Sequence, residues 1–326
     1  PGFIITTEAC HEYWKEQDFI LSIWDDIKAA VARVEALAGK MFGREKDPLL
    51  VSVRSGAPVS MPGMMDTILN LGLNDKTVKA LAEASGDERF AYDSFRRFIQ
   101  MFSDVVLGVE LASFEAKLKE KKVKYGVKDD NQLSAEALKE LVGEYKMIVK
   151  EAGKDFPVDP WQQLRLAIDA GFRSWNTPRA VTYRKINNIP ESYGTAVSVV
   201  TMVFGNLGDD CGTGVCFTRS PSTGENRLFG EYLINAQGED VVAGIRTPVE
   251  ISQLATAMPD VYKEFCRIAK LLEEHYKDAQ DIEFTVERGK LYILQTRNGK
   301  RTAAAAVKVA MDMYREGLID ERTAVE

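Results

Sequence analysis

The chain has 326 residues, with 42 basic and 49 acidic side chains, a net charge of −7 and 45% apolar residues. At about 150 residues per domain the length predicts two compact units, or one with an insertion, and the apolar share excludes a disordered polymer. An acidic balance without a long Lys/Arg block excludes broad nucleic-acid binding, although a few placed arginines suffice to hold a phosphate.

The chain opens on the strand-like Pro1-Gly-Phe-Ile-Ile5 and closes in a helical pattern at Ala324-Val325-Glu326. Both ends read as cuts in a longer protein. Ile20, Trp24, Ile27, Val31, Val34, Ala38 and Met41 recur at spacings of three or four and predict an amphipathic helix over 20–42. After Pro48, the β-branched run 49–53 predicts a buried strand that delivers Arg54, Ser55, Gly56 and Ala57 at its end. A loop rich in Pro, Gly and Met follows over 58–66. Asp75 is expected to cap a helix running to Ala84, with Gly86 as its stop. Helices are predicted over 88–120 and 134–153, separated by a charged, turn-rich stretch at 121–131. Residues 75–158 read as a helical insertion or lid.

Beyond Pro190 the character changes. Strands are expected at 196–204, 215–219 and 228–235, with a fourth candidate at 241–246. A helix over 252–276 meets Pro259, as a kink or as a second start. Residues 282–287 and 290–295 flank Arg288-Gly289 and predict a tight β-hairpin. A last helix begins near Thr302. The layout is α+β: a helix-rich half, then a mostly antiparallel sheet with flanking helices.

Cys10, Cys211, Cys216 and Cys266 form no CxxC or Cys/His cluster, and read as small buried thiols in a reducing compartment. No 18-residue apolar run predicts a membrane span, and no secretory signal is read. His11 is placed on a surface helix and His275 near a helix end. Neither has a nucleophile partner, which disfavours Ser/His or Cys/His catalysis.

Four stretches are able to carry chemistry. Asp281 and Glu283 share one face of the hairpin's first strand, and Gln295 and Arg297 share one of the return strand. If those faces coincide, they make a Mg²⁺ and phosphate site; the alternative is an exposed face with a cross-strand charge pair. The glycines of Cys211-Gly-Thr-Gly-Val-Cys216 let backbone N–H groups approach phosphate, or make an ordinary hairpin turn. The string matches neither a Walker A loop nor a dinucleotide fingerprint. Arg54 at a strand end reaches into a cleft, or sits in a buried ion pair. The run 201–204 lines an adenine pocket, or is core.

Together these stretches resemble the pyruvate, phosphate dikinase family. The matching strings are DPLLVSVRSGA at 47–57, SMPGMMDTILNLGLN at 60–74, FAYDSFRRFIQ at 90–100, GEYLINAQGEDVVAG at 230–244 and LQTRNGKR at 294–301. The MPGMM segment at 61–65 is specific, because the related pyruvate, water dikinases have a more acidic sequence after the arginine. The resemblance implies an ATP-grasp-like α+β fold, with two subdomains around a nucleotide cleft: 1–74 with 159–202, then 203–326, with 75–158 inserted.

Carried over from the family, Arg54 and Arg297 contact ATP phosphates, Glu283 and Gln295 hold Mg²⁺, and Asp281 orients that shell. Glu239 reaches the ribose or base end. Met202 and Val203 form the adenine hinge, and Gly212, Thr213 and Gly214 belong to a loop over the phosphates. The family's Gly-Gly-Lys-Gly segment and its phosphate-accepting histidine domain are not in this sequence. Lys185 and Lys300 do not stand in a matching motif. The resemblance therefore implies the ATP half of a reaction in which a histidine on another domain is phosphorylated and a barrel domain makes phosphoenolpyruvate from pyruvate. By itself the chain is expected to be inactive. The full enzyme is expected to be a homo-oligomer in the cytoplasm, a plastid or a glycosome. The alternatives are a non-catalytic nucleotide-binding module and the ATP domain of a pyruvate, water or glucan dikinase.

Overall fold

A computed structural model describes residues 1–16, 18–242 and 246–325; the side chains of Glu239 and Val242 also lie outside what is described. The chain divides into two compact units, Pro1–Met202 and Val203–Glu326.

The first unit holds strands β1 (Gly2–Ile5), β2 (Met41–Phe42), β3 (Pro48–Leu49), β4 (Val51–Gly56), β5 (Thr67–Leu71) and β6 (Ala196–Thr201). Its main sheet has the order β1-β6-β4-β5, and each neighbouring pair is antiparallel. The helix Pro160–Ser174 covers one face of this sheet. Asp159 caps it through the amides of Trp161 and Gln162, and Pro160 takes the first-turn position where a missing N–H does no harm. Gly171 lets the helix close on Val197, since a Cβ there would stand 2.9 Å from the valine side chain. Ser174 Oγ lies 3.2 Å from Ser55 Oγ.

The same unit carries the helices Thr77–Ser85, Glu88–Phe102, Leu111–Tyr125 and Ala135–Glu151. Their interface is aromatic, with Phe98 and Phe102 edge-on to Phe156, and Phe114 edge-on to Tyr145. It also buries charge. Asp93 holds Arg96 at 2.7 Å and Arg97 at 3.0 Å, and Asp130 closes the network on both guanidiniums. Much of the 90–100 string is thus structural.

Several expectations change here. The helix predicted over 20–42 breaks at Ile23 into Phe19–Ser22 and Trp24–Ala38. It stops at Gly39, whose left-handed backbone (φ 67°) lets its N–H donate to Glu35 O. Met41 then belongs to a strand. Asn74, not Asp75, serves the start of the next helix, accepting from the amides of Lys76 and Thr77 at 2.9 Å. The helix expected over 88–120 passes into a π-turn at Ser103–Leu107 and ends at Gly108, while its successor runs on to Tyr125. Lys121 is buried there between Glu140 and Glu144, so 121–125 is not a turn. His11 is half-buried rather than on the surface, its Nε2 enclosed without a partner.

The second unit holds β7 (Gly212–Phe217), β8 (Phe229–Ile234), β9 (Val249–Glu250), β10 (Gln280–Glu287) and β11 (Lys290–Asn298), in the antiparallel order β11-β10-β7-β8-β9. The helix Pro259–Tyr276 lays Val261, Phe265 and Ala269 on Cys216, Tyr232, Ile282, Phe284 and Val286. Pro259 is its second start: the expected 252–276 helix divides there, after a short turn at Leu254–Ala257. Arg219, 1% exposed, forks onto Glu273 of this helix and onto Glu316 just after the helix Ala303–Arg315. Of the strand expected at 241–246, Val241 and Val242 are helical (Gly238–Val242) and 243–245 lie outside the described residues. The short strand in that region is β9. Cys266 is exposed, unlike the three other thiols.

Candidate functional site

Four of the sequence-selected side chains meet on one hairpin. Strands β10 and β11 are joined by Arg288-Gly289, both at positive φ (49° and 71°) as a two-residue type I′ turn requires. Such a turn sets the register as far as Phe284 opposite Ile293; beyond a one-residue shift, Glu283 stands opposite Gln295 and Asp281 opposite Arg297. Arg297 Nε donates to Asp281 Oδ2 at 2.8 Å, and its terminal nitrogen lies 3.8 Å from Glu283 Oε1. Ile282, Phe284 and Val286 alternate with these groups and point into the core under the helix Pro259–Tyr276. The hairpin therefore anchors one face in apolar packing and presents two carboxylates, an amide and a guanidinium on the other. A partly exposed ion pair contributes only about 0–1 kcal/mol to stability, so its stronger physical effect is to fix the direction of Arg297.

The alternation is not continuous. Glu283 faces Gln295, yet Phe284 faces Ile293, so Leu294 is an extra residue in β11 and stands 40% exposed. This bulge is what allows Leu291 and Ile293 to join the core while Gln295 and Arg297 join the carboxylates.

Strand β7 contradicts one expectation. Gly212, Thr213 and Gly214 do not form a loop over phosphate. They lie in the middle of the sheet, paired with β8 on one side and β10 on the other, so the ladders use their backbone groups. Thr213 is buried and donates to Phe284 O at 3.0 Å. The glycines are required by space: a Cβ on Gly212 would meet Leu233 O at 2.8 Å, and one on Gly214 would meet Glu231 O at 2.4 Å.

Strand β6 ends at Thr201, earlier than the 196–204 expected, because the next backbone groups bond elsewhere. The Met202 N–H donates to Leu50 O at 2.9 Å. The Phe204 N–H donates to Glu287 Oε2 at 2.6 Å. Met202, Val203 and Phe204 are half-buried, and the division between the two units falls after Met202. Sequence reasoning leaves Glu287 out, although the period of two that unites Asp281 and Glu283 extends to it. The turn is tied down as well, by Gly289 N to Asp210 O and Arg288 N to Cys211 Sγ.

In the first unit, Arg54 stands opposite Ser198 and Thr67, while its neighbours Val53 and Ser55 stand opposite Val199 and Val197 on the helix-covered face. Arg54 thus leaves β4 on the face away from the helix Pro160–Ser174. The side chain of Glu239 lies outside the described residues. Lys185 and Lys300 are exposed. Among the described residues no three His, Cys, Asp or Glu side chains are grouped to hold a metal, and no helix is long and apolar enough to cross a membrane.

The sequence matches the family model described as pyruvate phosphate dikinase, AMP/ATP-binding domain, over residues 17–259 and 257–318. The chain belongs to this family. It is 58% identical to pyruvate, phosphate dikinase of Clostridium symbiosum, with 99% of this chain and 37% of that protein aligned. It is 54% identical to pyruvate, phosphate dikinase 2 of Oryza sativa subsp. japonica, with 100% of this chain and 37% of that protein aligned. For the chloroplastic enzyme of Mesembryanthemum crystallinum the identity is 53%, with 100% and 34% aligned. The chain thus spans a little over a third of the length of these curated relatives. Its fold is α+β and ATP-grasp-like.

Proposed function

We propose that this chain is the ATP-binding part of a dikinase. In the complete polypeptide, a histidine on another domain would attack the β-phosphorus of ATP and take its diphosphoryl group, leaving AMP. Inorganic phosphate would cleave the enzyme-bound diphosphate, and pyruvate would become phosphoenolpyruvate. The observation that carries this reading is the cross-strand set Asp281–Arg297 and Glu283–Gln295, in a chain of the AMP/ATP-binding family.

Each residue has a role that its chemistry suits. Arg297, held by Asp281, presents its remaining N–H groups to a phosphate oxygen, and Arg54 supplies a second guanidinium. Glu283 and Gln295 are hard oxygen donors placed side by side. They fit Mg²⁺, which takes one or two protein oxygens and fills its shell with phosphate and water. When bound, that ion neutralises charge on the phosphates. At the hinge Met202 and Phe204 have spent their N–H groups, so the adenine edge would be read by the Val203 backbone and by the carbonyls of 202–204. Glu239 would approach the ribose or base. Gly212, Thr213 and Gly214 would act as the packed strand beneath the nucleotide, not as its phosphate loop.

The test is isothermal titration and turnover of the full-length polypeptide. Arg297→Ala should lower the Mg·ATP affinity and the rate, by about 1.5–3 kcal/mol for a charge-assisted hydrogen bond. Unchanged affinity and turnover would remove Arg297 from the site. A strict requirement for inorganic phosphate, with diphosphate as product, separates this reaction from that of a water-dependent dikinase.

A further inference from the structure

A cavity of about 210 Å³ opens in the helical part of the first unit, lined by Asn74, Asp75, Phe95, Lys146, Lys150, Lys154, Asp155, Phe156 and Val158. None of these residues has a role in the nucleotide site proposed above. The walls divide by chemistry. Phe95 is 1% exposed, and Phe156 packs on Phe98 and Phe102 at 5.6 and 5.5 Å, so the floor is fixed and aromatic. Above it stand Lys146 and Lys150, one turn apart on the helix Ala135–Glu151, and Lys154 just after the helix end. Lys146 is anchored, paired with Asp75 and set 5.0 Å from the Phe95 ring centroid. Among the described residues Lys150 and Lys154 have no ion-pair partner. Asn74 is not an available ligand: its Oδ1 serves two amides, and its Nδ2 donates to Val158 O.

We propose that this cavity binds a small oxyanion carried on a compact apolar stem, an aromatic phosphate or carboxylate. The stem would lie on Phe95 and Phe156, and the anion would be held by Lys150 and Lys154. The volume argues for a small ligand, since it falls below the ~300–1,000 Å³ of pockets for drug-sized molecules. The charge argues for an anion: three lysines and two aspartates line the cavity, Lys146 is paired with Asp75, and Lys150 and Lys154 outnumber the one remaining carboxylate, Asp155. The start of the helix Thr77–Ser85 borders the cavity through Asn74 and Asp75 and adds its positive end to the same field.

The experiment is a fluorine NMR titration of the full-length polypeptide with 4-fluorophenyl phosphate and with 4-fluorobenzoate, repeated with the nucleotide site filled by a non-hydrolysable Mg·ATP analogue. At least one probe should bind saturably whether or not the analogue is present, and the tighter one names the head group. Binding should weaken at least ~tenfold in Lys150→Gln/Lys154→Gln, and similarly in Val158→Asp, which sets a carboxylate at the rim. All three positions are exposed, so melting temperatures should not change. Inorganic phosphate should bind more weakly than the aryl phosphate. No saturable binding, binding that survives both variants, or displacement by the nucleotide analogue overturns the site. Equal affinity for inorganic and aryl phosphate overturns the part given to the stem.

Discussion

Gly230 shows how tightly the central strands of the second unit are drawn together. A Cβ on it would stand 2.2 Å from Val215 O and 2.6 Å from Cys216 Cα, both backbone atoms of a strand paired on each side. Neither atom belongs to a side chain that can rotate away. Gly230→Ala should therefore cost about 3 kcal/mol, at the upper end of overpacking effects, read as a lower urea midpoint. Asp93 is sensitive for the opposite reason, a charge with no water. Burial would raise its carboxyl, but the guanidiniums of Arg96 and Arg97 outweigh burial and hold it well below the usual carboxylate range. Asp130 shifts in the same direction, with the same opposition between burial and arginines. A folded value below the unfolded one means stability that is fully present above the unfolded value, about 3.9. It is lost as pH falls through the folded value. Asp93→Asn should cost about 3–5 kcal/mol at neutral pH by leaving buried guanidiniums uncompensated. It should also flatten the acid limb below pH ~4 in a stability profile followed by circular dichroism.

At the scale of elements, the signals read correctly are those with a single physical cause. Thr302 caps the helix Ala303–Arg315 by accepting from Ala305 N, in keeping with the start expected near Thr302. Thr302→Ala should cost about 1 kcal/mol in thermal unfolding. The hairpin is equally legible, because two residues between alternating runs leave one turn geometry. What was misread had two causes sharing one appearance. Glycine serves a phosphate loop and a crowded strand alike, and only the neighbours of Gly212 and Gly214 decide between them. Asn74 and Asp75 both cap helices in principle, and Lys146, distant in sequence, draws Asp75 away. Ile23 interrupts an apolar period that shows no break. The run at 241–246 is β-branched, yet Val241 and Val242 are helical.

For the whole molecule, the candidate site was legible in proportion to how local it is. Asp281, Glu283, Gln295 and Arg297 are joined through one turn; a period of two groups each pair on its own strand, and the bulge at Leu294, which no period marks, brings the two pairs to one face. Arg54 belongs to the other unit; its place at a strand end marks it as a candidate, but no spacing rule relates it to the hairpin, and only the family resemblance joins the two. The nucleotide should stabilise the full-length polypeptide by mass action, by about 2.7 kcal/mol at a hundredfold excess over Kd. Removing divalent metal with a chelator should abolish most of the thermal shift if Glu283 and Gln295 hold the ion. A shift indifferent to chelation would free those two residues from that role.

The bulge at Leu294 can be seen as a splice between two messages written in opposite phase. Upstream of it Leu291 and Ile293 spell a core strand, and downstream Gln295 and Arg297 spell a polar face, yet all four fall on odd positions. The extra residue absorbs the conflict. Editing the strand should therefore have unequal outcomes. Removing Leu294 leaves each remaining residue on its own face and should yield a folded protein. Removing Thr296, two places away, turns Arg297 toward the core and should not.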